Sequence, residues 1–229
     1  MVDHINRNRS KHILTIEDPI EFIHPSQRSL VNQRELGSHT TTFARALKSA
    51  LREDPDVILI GEMRDLDTIQ LALTAAETGH LVLGTLHTNS AAHTIDRIID
   101  VFPRESKDTV RTMLASSLEG IIAQTLLKKR EEQARVAALE ILVTTSGIRN
   151  LIRDNKVPQI ESLMQVGTKV GMQTMTDSVD KLLDEKMISK ETARNARAAI
   201  VSSEKLQKTS MSSGNYTCLL YTSDAADES

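Results

Sequence analysis

The chain has 229 residues, a net charge of −3, one cysteine and no tryptophan, and 39% of its residues are hydrophobic. This length predicts one domain, with room for a small second lobe, around an aliphatic core. The absence of a long apolar run excludes a membrane-spanning helix, and the opening segment MVDHINRNRSKH lacks the apolar stretch of a secretory signal. The single cysteine, Cys218, excludes an internal disulfide, and the balanced charges do not indicate a nucleic acid partner.

Apolar runs alternate with segments of helical spacing along the first two thirds of the chain. Strands are predicted at residues 13–16, 57–60, 80–86 and 135–143. Helices are predicted at residues 42–52, 65–78, 90–101 and 104–127. Asp65 and Ser90 are candidate N-caps, and Gly79 lies where a helix-terminating glycine is expected. Residues 21–35 have the pattern of a polar hairpin or loop. This alternation predicts an α/β fold with a mostly parallel sheet.

After residue 144 the pattern becomes entirely helical. Helices are predicted at residues 146–154, 158–166, 174–186 and 189–199, with Ser146 and Ser189 as candidate N-caps. We therefore expect a core over residues 1–144 and a small helical lobe over residues 145–201. Residues 202–229 are rich in Ser, Thr, Gly and Asp, and we expect them to be a disordered tail that is not native to the protein.

Ionisable side chains follow three of the predicted strands. Glu17 and Asp18 end the first, Glu62 follows the second and His87 follows the third. Polar residues also end strands for purely structural reasons, and that interpretation stays open for each one. Because the carboxyl ends of parallel strands form the usual ligand crevice, acids there are suited to hold Mg²⁺ through water and to orient an attacking water. With no nucleophile elbow or Cys–His pair, the pattern favours phosphate chemistry over acyl transfer.

Three segments resemble the motifs of the secretion-ATPase superfamily of hexameric P-loop motors. ILTIEDPIEF resembles its aspartate box, LREDPDVILIGEMRDLDTIQLALTAAETGH its Walker B region, and LVLGTLHTNSAAHTIDRIIDVFP, with His80 before it, its histidine box. Gly61 stands where a Walker B aspartate is usual. The resemblance spans about residues 11–200 and implies a RecA-like P-loop NTPase core.

A fourth segment, SGIRNLIRDNKV, resembles the helical-lobe motif of the branch that retracts type IV pili. The short KKREEQAR connection also lacks the four-cysteine zinc insertion common in pilus-assembly and type II secretion ATPases. The alternative is an ordinary amphipathic helix, with Ile148, Leu151 and Ile152 packing inward and Arg149 and Arg153 in solvent.

The resemblance implies roles for individual residues. Glu62 and Glu21 would be catalytic, with Glu62 polarising the attacking water, and Glu17 and Asp18 would face Mg²⁺ and the γ-phosphate. His80 and His87 would couple the phosphate state to the subunit interface, and Arg97 would face phosphate or that interface. The motif surface in the helical lobe would comprise Ile148, Arg149, Asn150, Leu151, Ile152 and Arg153.

Simpler roles compete with some of these. His80 is also consistent with an ordinary loop residue after the glycine, and Arg97 with an ion pair to Asp96 or Asp100. The spacing of His80, His87 and His93 does not match a zinc-binding helix. We expect the six groups at positions 17, 18, 21, 62, 80 and 87 to converge around one phosphate pocket.

The resemblance also implies ATP and Mg²⁺ as cofactors, a homohexamer, a pilus inner-membrane platform protein as partner, and a cytoplasmic location at the inner face of the inner membrane. However, the P-loop motif G-x-x-x-x-G-K-[ST] does not occur in the 229 residues. We therefore expect an incomplete core, lacking the Walker A strand and loop, with an open strand position, low stability and little ATPase activity. The alternatives are a non-catalytic interaction module and a piece of an assembly or secretion ATPase.

Overall fold

The structure, a computed structural model, describes residues 1–131, 133–206 and 217–222. Its strands are β1 (His12–Glu17), β2 (Leu30–Glu35), β3 (Val57–Ile60), β4 (Leu81–Leu86), β5 (Leu118–Lys128), β6 (Arg135–Val143) and β7 (Thr217–Thr222). Its α-helices are α1 (Val2–Asn8), α2 (Phe43–Ala50), α3 (Leu66–Glu77), α4 (Ala91–Asp100), α5 (Lys107–Ser117), α6 (Ser146–Arg153), α7 (Ile160–Val166), α8 (Met175–Asp184) and α9 (Lys190–Leu206).

The strands form one sheet in the order β2-β1-β3-β4-β7-β5-β6. The first four are parallel to one another, which confirms the βαβ interpretation of this part of the sequence. The last three are antiparallel to their neighbours, so the whole sheet is mixed. β1 and β3 lie inside the parallel half, where Ile16 and Ile60 are fully buried.

Local capping follows the sequence at several helix ends. The Asp65 side chain accepts a hydrogen bond from the Thr68 amide, and Ser90 caps α4 in the same way. Gly79 has a φ of 95°, a left-handed conformation that suits glycine after a helix. The predicted cap at Ser146 is wrong by one residue, because the Thr145 side chain caps α6.

The predicted helix over residues 104–127 is wrong in its second half. A short 3₁₀ turn and α5 end at Ser117, and residues 118–128 form β5, which pairs with β6 along nine positions. Leu118 and Ile121 continue the helical stripe of Val110 and Leu114, but in β5 they are buried as strand residues. Spacings of four and three residues favour a helix, but pairing with β6 and β7 makes residues 118–128 a strand.

Two other segments also differ from prediction. Residues 30–35 form β2, an edge strand parallel to β1, where a hairpin or loop was expected. Residues 202–206 extend α9, and residues 217–222 form β7 between β4 and β5. The expectation of disorder is wrong for these residues. The expectation of an open strand position is also wrong where β7 lies between β4 and β5. The remainder of the expected tail, residues 207–216 and 223–229, lies outside the described residues.

The helices after residue 145 share their core with the sheet. Ile148, Ile152 and Met164 belong to the same buried cluster as Leu14 and Ile58. A second cluster joins Leu127 and Ala138 of the sheet to residues of α8 and α9. Hydrophobic packing therefore crosses the position at which the sequence predicts a boundary between core and lobe.

Candidate functional site

The carboxyl ends of β1, β3 and β4 bring three of the predicted site residues to one edge of the sheet. In the parallel register, Ile16 is opposite Ile60, and Ile60 is opposite Gly84. Glu17, Glu62 and His87 follow at the ends of these strands. Within the described residues, this carboxyl edge therefore holds the acids and the imidazole that the sequence predicts at a ligand crevice.

Glu62 and His87 form a direct pair at this edge. His87 Nε2 lies 2.7 Å from Glu62 Oε1, and Arg64 Nε donates to the same oxygen. The Glu62 side chain is only 17% exposed, whereas those of His87 and Arg64 are 58% and 74% exposed. Because a carboxylate oxygen accepts, Nε2 of His87 is the nitrogen that carries the hydrogen. Glu62 Oε2 has no hydrogen-bond partner among the residues that the structure describes.

The turn that presents Glu62 is closely packed against both neighbouring strands. The Gly61 amide donates to the Ile16 carbonyl over 2.7 Å, and the Thr85 hydroxyl donates to the Gly61 carbonyl. A Cβ at position 61 would lie 3.0 Å from the Ile16 carbonyl oxygen and 3.1 Å from the Glu17 Cα. Glycine is therefore the residue that this close approach of backbones favours, in place of the aspartate usual in the family motif.

Glu17 is held from the side of β2. Its Oε1 accepts hydrogen bonds from the Thr15 hydroxyl at 2.6 Å and from Gln33 Nε2 at 3.0 Å. Asp18 and Glu21, by contrast, are exposed in the segment that leads to β2. No hydrogen bond or ion pair joins Asp18 or Glu21 to Glu62 within the described part of the chain, so they share the edge without joining the pair.

His80 lies at the opposite edge, and the prediction that it converges with His87 is wrong. It precedes β4, so the six residues of that strand, a rise of about 20 Å, separate the two imidazoles. His80 Nδ1 lies 3.0 Å from the Ala75 carbonyl oxygen and 3.2 Å from the Thr78 hydroxyl. Because a carbonyl only accepts, Nδ1 carries the hydrogen, and the contact closes the end of α3.

Arg97 is exposed on α4, about 10 Å along the helix axis from its N-cap. Asp100, one of its expected partners, is instead 2.5 Å from Lys107 Nζ. In residues 1–131 and 133–206, no ion pair to Asp96 or Asp100 involves Arg97. At the start of α4, Glu140 Oε1 accepts a hydrogen bond from the Ala91 amide at 2.6 Å, a contact that the sequence did not indicate.

The motif helix α6 uses its two arginines differently. Arg149 Nη1 donates to the carbonyls of Ala115 and Ser116 at 2.8 and 2.5 Å, and Nη2 lies 2.8 Å from Glu119 Oε1. These contacts cap the end of α5, so Arg149 is not a purely solvated side chain. Arg153 is exposed and, among the residues that the structure describes, donates only to Asn150 Oδ1, at 3.1 Å.

The inward face of α6 is apolar. Ile148 and Ile152 are fully buried, and Leu151 packs against the same cluster. Leu118, at the start of β5, and Val82, near the start of β4, both pair with Thr222 of β7. The start of β5 therefore lies at the amino edge of the sheet, and α5 and α6 meet there. The motif surface and the Glu62–His87 pair are therefore at opposite edges.

Arg64 and Glu119 are partners that sequence reasoning missed. Arg64 follows Glu62 by two residues, which is the only signal the sequence offered. The pairing of Glu119 with Arg149 spans 30 positions and has no local signature. Among the described residues, no three His, Cys, Asp or Glu side chains are grouped to ligate a metal directly. None of the helices in the described part of the chain has the length and hydropathy of a bilayer crossing.

Comparison with known proteins decides the family. Residues 1–217 match the profile described as "Type II/IV secretion system protein". The chain belongs to this family. It is 59% identical over 194 residues to a twitching motility protein of Neisseria gonorrhoeae and, over the same length, to the type IV pilus retraction ATPase PilT of Pseudomonas aeruginosa. These alignments cover 85% of this chain but 52% and 56% of those proteins, so this family member spans about half the length of its relatives.

Solved structures agree with this assignment. A crystal structure of the pilus retraction motor PilT with bound ADP matches 86% of this chain and 55% of that one, with 53% identity and a TM-score of 0.80. The Legionella pneumophila ATPase DotB matches 86% of this chain and 55% of its own, at 28% identity, with a TM-score of 0.78. The RecA-like α/β fold implied by the resemblance is thereby confirmed.

Proposed function

We propose that this chain is part of an ATP-hydrolysing motor that drives type IV pilus retraction and twitching motility. The observation that carries the proposal is the Glu62–His87 pair, a nearly buried carboxylate 2.7 Å from an exposed imidazole at the carboxyl edge of a parallel sheet. The 59% identity to a pilus retraction ATPase supports the retraction branch. The type II secretion protein HxcR of Pseudomonas aeruginosa is 33% identical, which makes a secretion ATPase the weaker candidate.

Glu62 is suited to orient and polarise a water molecule. One of its oxygens accepts from His87 and Arg64, which fixes the carboxylate plane, while Oε2 remains available to accept from water. Hydrolysis of a phosphoanhydride depends mainly on such positioning and on electrostatic stabilisation. An incoming phosphate would compete with Glu62 for the His87 N–H. The exposed His87 side chain would therefore change its hydrogen-bond partner when phosphate binds.

ATP and Mg²⁺ are the cofactors that we propose for the whole protein. The carboxylates of Glu17 and Asp18 are suited to hold a cation through water. Oε1 of Glu17 already accepts two hydrogen bonds from the protein, and Asp18 is exposed to solvent. Bound Mg²⁺ would neutralise charge on the phosphates. These 229 residues contain no P-loop motif, so we expect the chain by itself to hydrolyse little ATP. That lack also favours the second candidate, a non-catalytic subunit or interaction module.

We further propose that the whole protein is a homohexamer in the cytoplasm that acts on a pilus platform protein at the inner membrane. The roles proposed for Glu21 and Arg97, and for the exposed Arg153 on the motif surface, rest on the family resemblance. The same holds for coupling to a subunit interface through His80, although its position at the amino edge separates it from the pair.

The test compares Glu62→Gln with Glu77→Gln in a longer gene product that supplies a P-loop. Glu77 is an exposed acid on α3. We expect Glu62→Gln to lower phosphate release by about a hundredfold or more and to leave ATP binding within a few fold, because only water orientation is lost. Glu77→Gln should have full activity. Unchanged turnover in Glu62→Gln would refute the proposed role, and an inactive parent protein would favour the interaction module.

A further inference from the structure

A basic concavity lies beside the end of β2, away from the Glu62–His87 pair. It encloses about 270 Å³ between β2 and the start of α2. Its polar lining comes from Arg34, His39, Thr40, Thr41, Arg45 and Ser49. β2 is the outermost strand on this side, two strand spacings or about 10 Å from β3, which leads to Glu62, and three or about 14 Å from β4, which leads to His87.

The acids near this concavity are already engaged. Glu53 Oε1 lies 2.5 Å from Arg34 Nη2. Glu35 accepts hydrogen bonds from the Ile20 amide at 3.1 Å and from the Ser38 hydroxyl at 3.0 Å. Arg45, in contrast, is exposed and has no side-chain hydrogen bond or ion pair within the part of the chain that the structure describes. Arg45 is therefore the guanidinium at the concavity that no carboxylate in the described part of the chain contacts, while the nearby Glu35 keeps its negative charge because its two donors are neutral.

His39 adds a fixed donor. The Glu35 amide donates to His39 Nδ1 at 2.9 Å, so Nδ1 is the acceptor and Nε2 carries the hydrogen. The first turn of α2 contains no acidic residue, and its N-terminal amides add positive potential to the same region. The Thr40 hydroxyl already donates to the Thr42 carbonyl at 3.2 Å, so the Thr41 hydroxyl joins these groups as a donor for a tetrahedral oxyanion.

We propose that this concavity binds a phosphoryl oxyanion, with Arg45 as the principal charge and His39 as an oriented donor. The ligand is either an inorganic phosphate species or the phosphate tail of a nucleotide, since both present the same oxygens. The proposal does not depend on ATP hydrolysis by the whole protein. It assigns to the outer edge of the sheet a second anion site besides the crevice at Glu62.

The test is calorimetric titration of the 229-residue chain with inorganic pyrophosphate and, separately, with ATP. Arg45→Ala and Arg45→Gln remove the proposed charge, while Arg52→Ala removes an equal charge at the other end of α2. We expect both Arg45 variants to weaken pyrophosphate binding about tenfold, and Arg52→Ala to weaken it less than about twofold. Far-ultraviolet circular dichroism verifies folding, and Arg45→Gln keeps most of the side-chain stem.

The two titrants distinguish the source of the phosphate. If the Arg45 variants lose affinity equally for pyrophosphate and ATP, the site takes phosphate from either source. If they lose affinity for pyrophosphate alone, the ligand is inorganic. A loss for ATP alone would overturn the proposal, because the base would then be required. Equal weakening by the Arg45 and Arg52 variants would also overturn it, because general electrostatics would explain the binding.

Discussion

The two edges of the parallel sheet use their polar groups in different ways. At the amino edge, Asp56 accepts from the His12 amide at 2.7 Å and from Lys11 Nζ at 2.9 Å, and His80 and Arg149 bond to helix-terminal carbonyls. At the carboxyl edge, Glu62 bonds to two exposed side chains instead. Polar groups that satisfy the backbone stabilise the fold, whereas Glu62 and His87 remain available for chemistry.

The largest expected effect on stability comes from Arg149 at the amino edge. Arg149→Ala leaves two carbonyls and Glu119 without their charged donor. We therefore expect it to lower the free energy of unfolding by about 2–3 kcal/mol. Arg153→Ala in the same helix should cost less than about 0.5 kcal/mol, because its side chain is exposed. Urea unfolding of both variants measures the difference. Equal losses would mean that Arg149 does not join α6 to α5.

At the carboxyl edge, the stability of the fold depends on the close packing of the turn at Gly61. Gly61→Ala forces a Cβ against two backbone atoms, and we expect a loss of about 1–3 kcal/mol. The matched control is Gly147→Ala in α6, where the nearest atom is a Leu163 methyl at 3.3 Å and alanine favours the helix. Thermal unfolding should separate the two variants. A Gly61→Ala protein as stable as the parent would contradict the close approach of β1 and β3.

Asp56 at the amino edge should make stability depend on pH. Burial opposes the shift, but the His12 amide and Lys11 lower the pKa of Asp56 below its usual 3.8. This contribution is therefore present above about pH 3.8 and is lost as pH falls through the lower pKa of the folded state. We expect Asp56→Asn to cost about 1 kcal/mol at pH 7 and progressively less as the pH falls below about 3.8. A difference that does not change with pH would contradict the ion-pair interpretation.

The smallest expected effect on stability is that of Glu62→Gln in this chain. Its partners are exposed and free to find water, so we expect a change below about 0.5 kcal/mol in urea unfolding. Together with lost turnover in the longer protein, this outcome would separate chemistry from folding at the carboxyl edge. A loss comparable to that of Arg149→Ala would show that Glu62 is structural.

The sequence predicted what local physics determines. The apolar run 57–60, the caps at Asp65 and Ser90 and the glycine at position 79 all occur as expected, because each depends on neighbouring residues. The convergence of Glu17, Glu62 and His87 followed from strand direction alone. Strand pairing was not predictable in this way, since β5 pairs with β6 residues 7 to 23 positions away and β2 pairs with β1 residues 18 positions away.

His80 shows a different kind of error. The sequence placed it beside His87 because both belong to the same motif, yet a strand between them puts them at opposite edges. Membership in a motif therefore did not imply proximity in space. The Arg149–Glu119 contact was missed because an ion pair across 30 positions has no sequence period.

Histidine tautomers test the separation of the two edges most directly. Long-range ¹H–¹⁵N correlation spectra of the chain should show His87 protonated at Nε2 and His80 protonated at Nδ1, at a pH where both are neutral. Glu62→Gln should alter the His87 signals and leave those of His80 unchanged. A His80 signal that responds to this substitution, or a His87 signal that does not, would contradict the account.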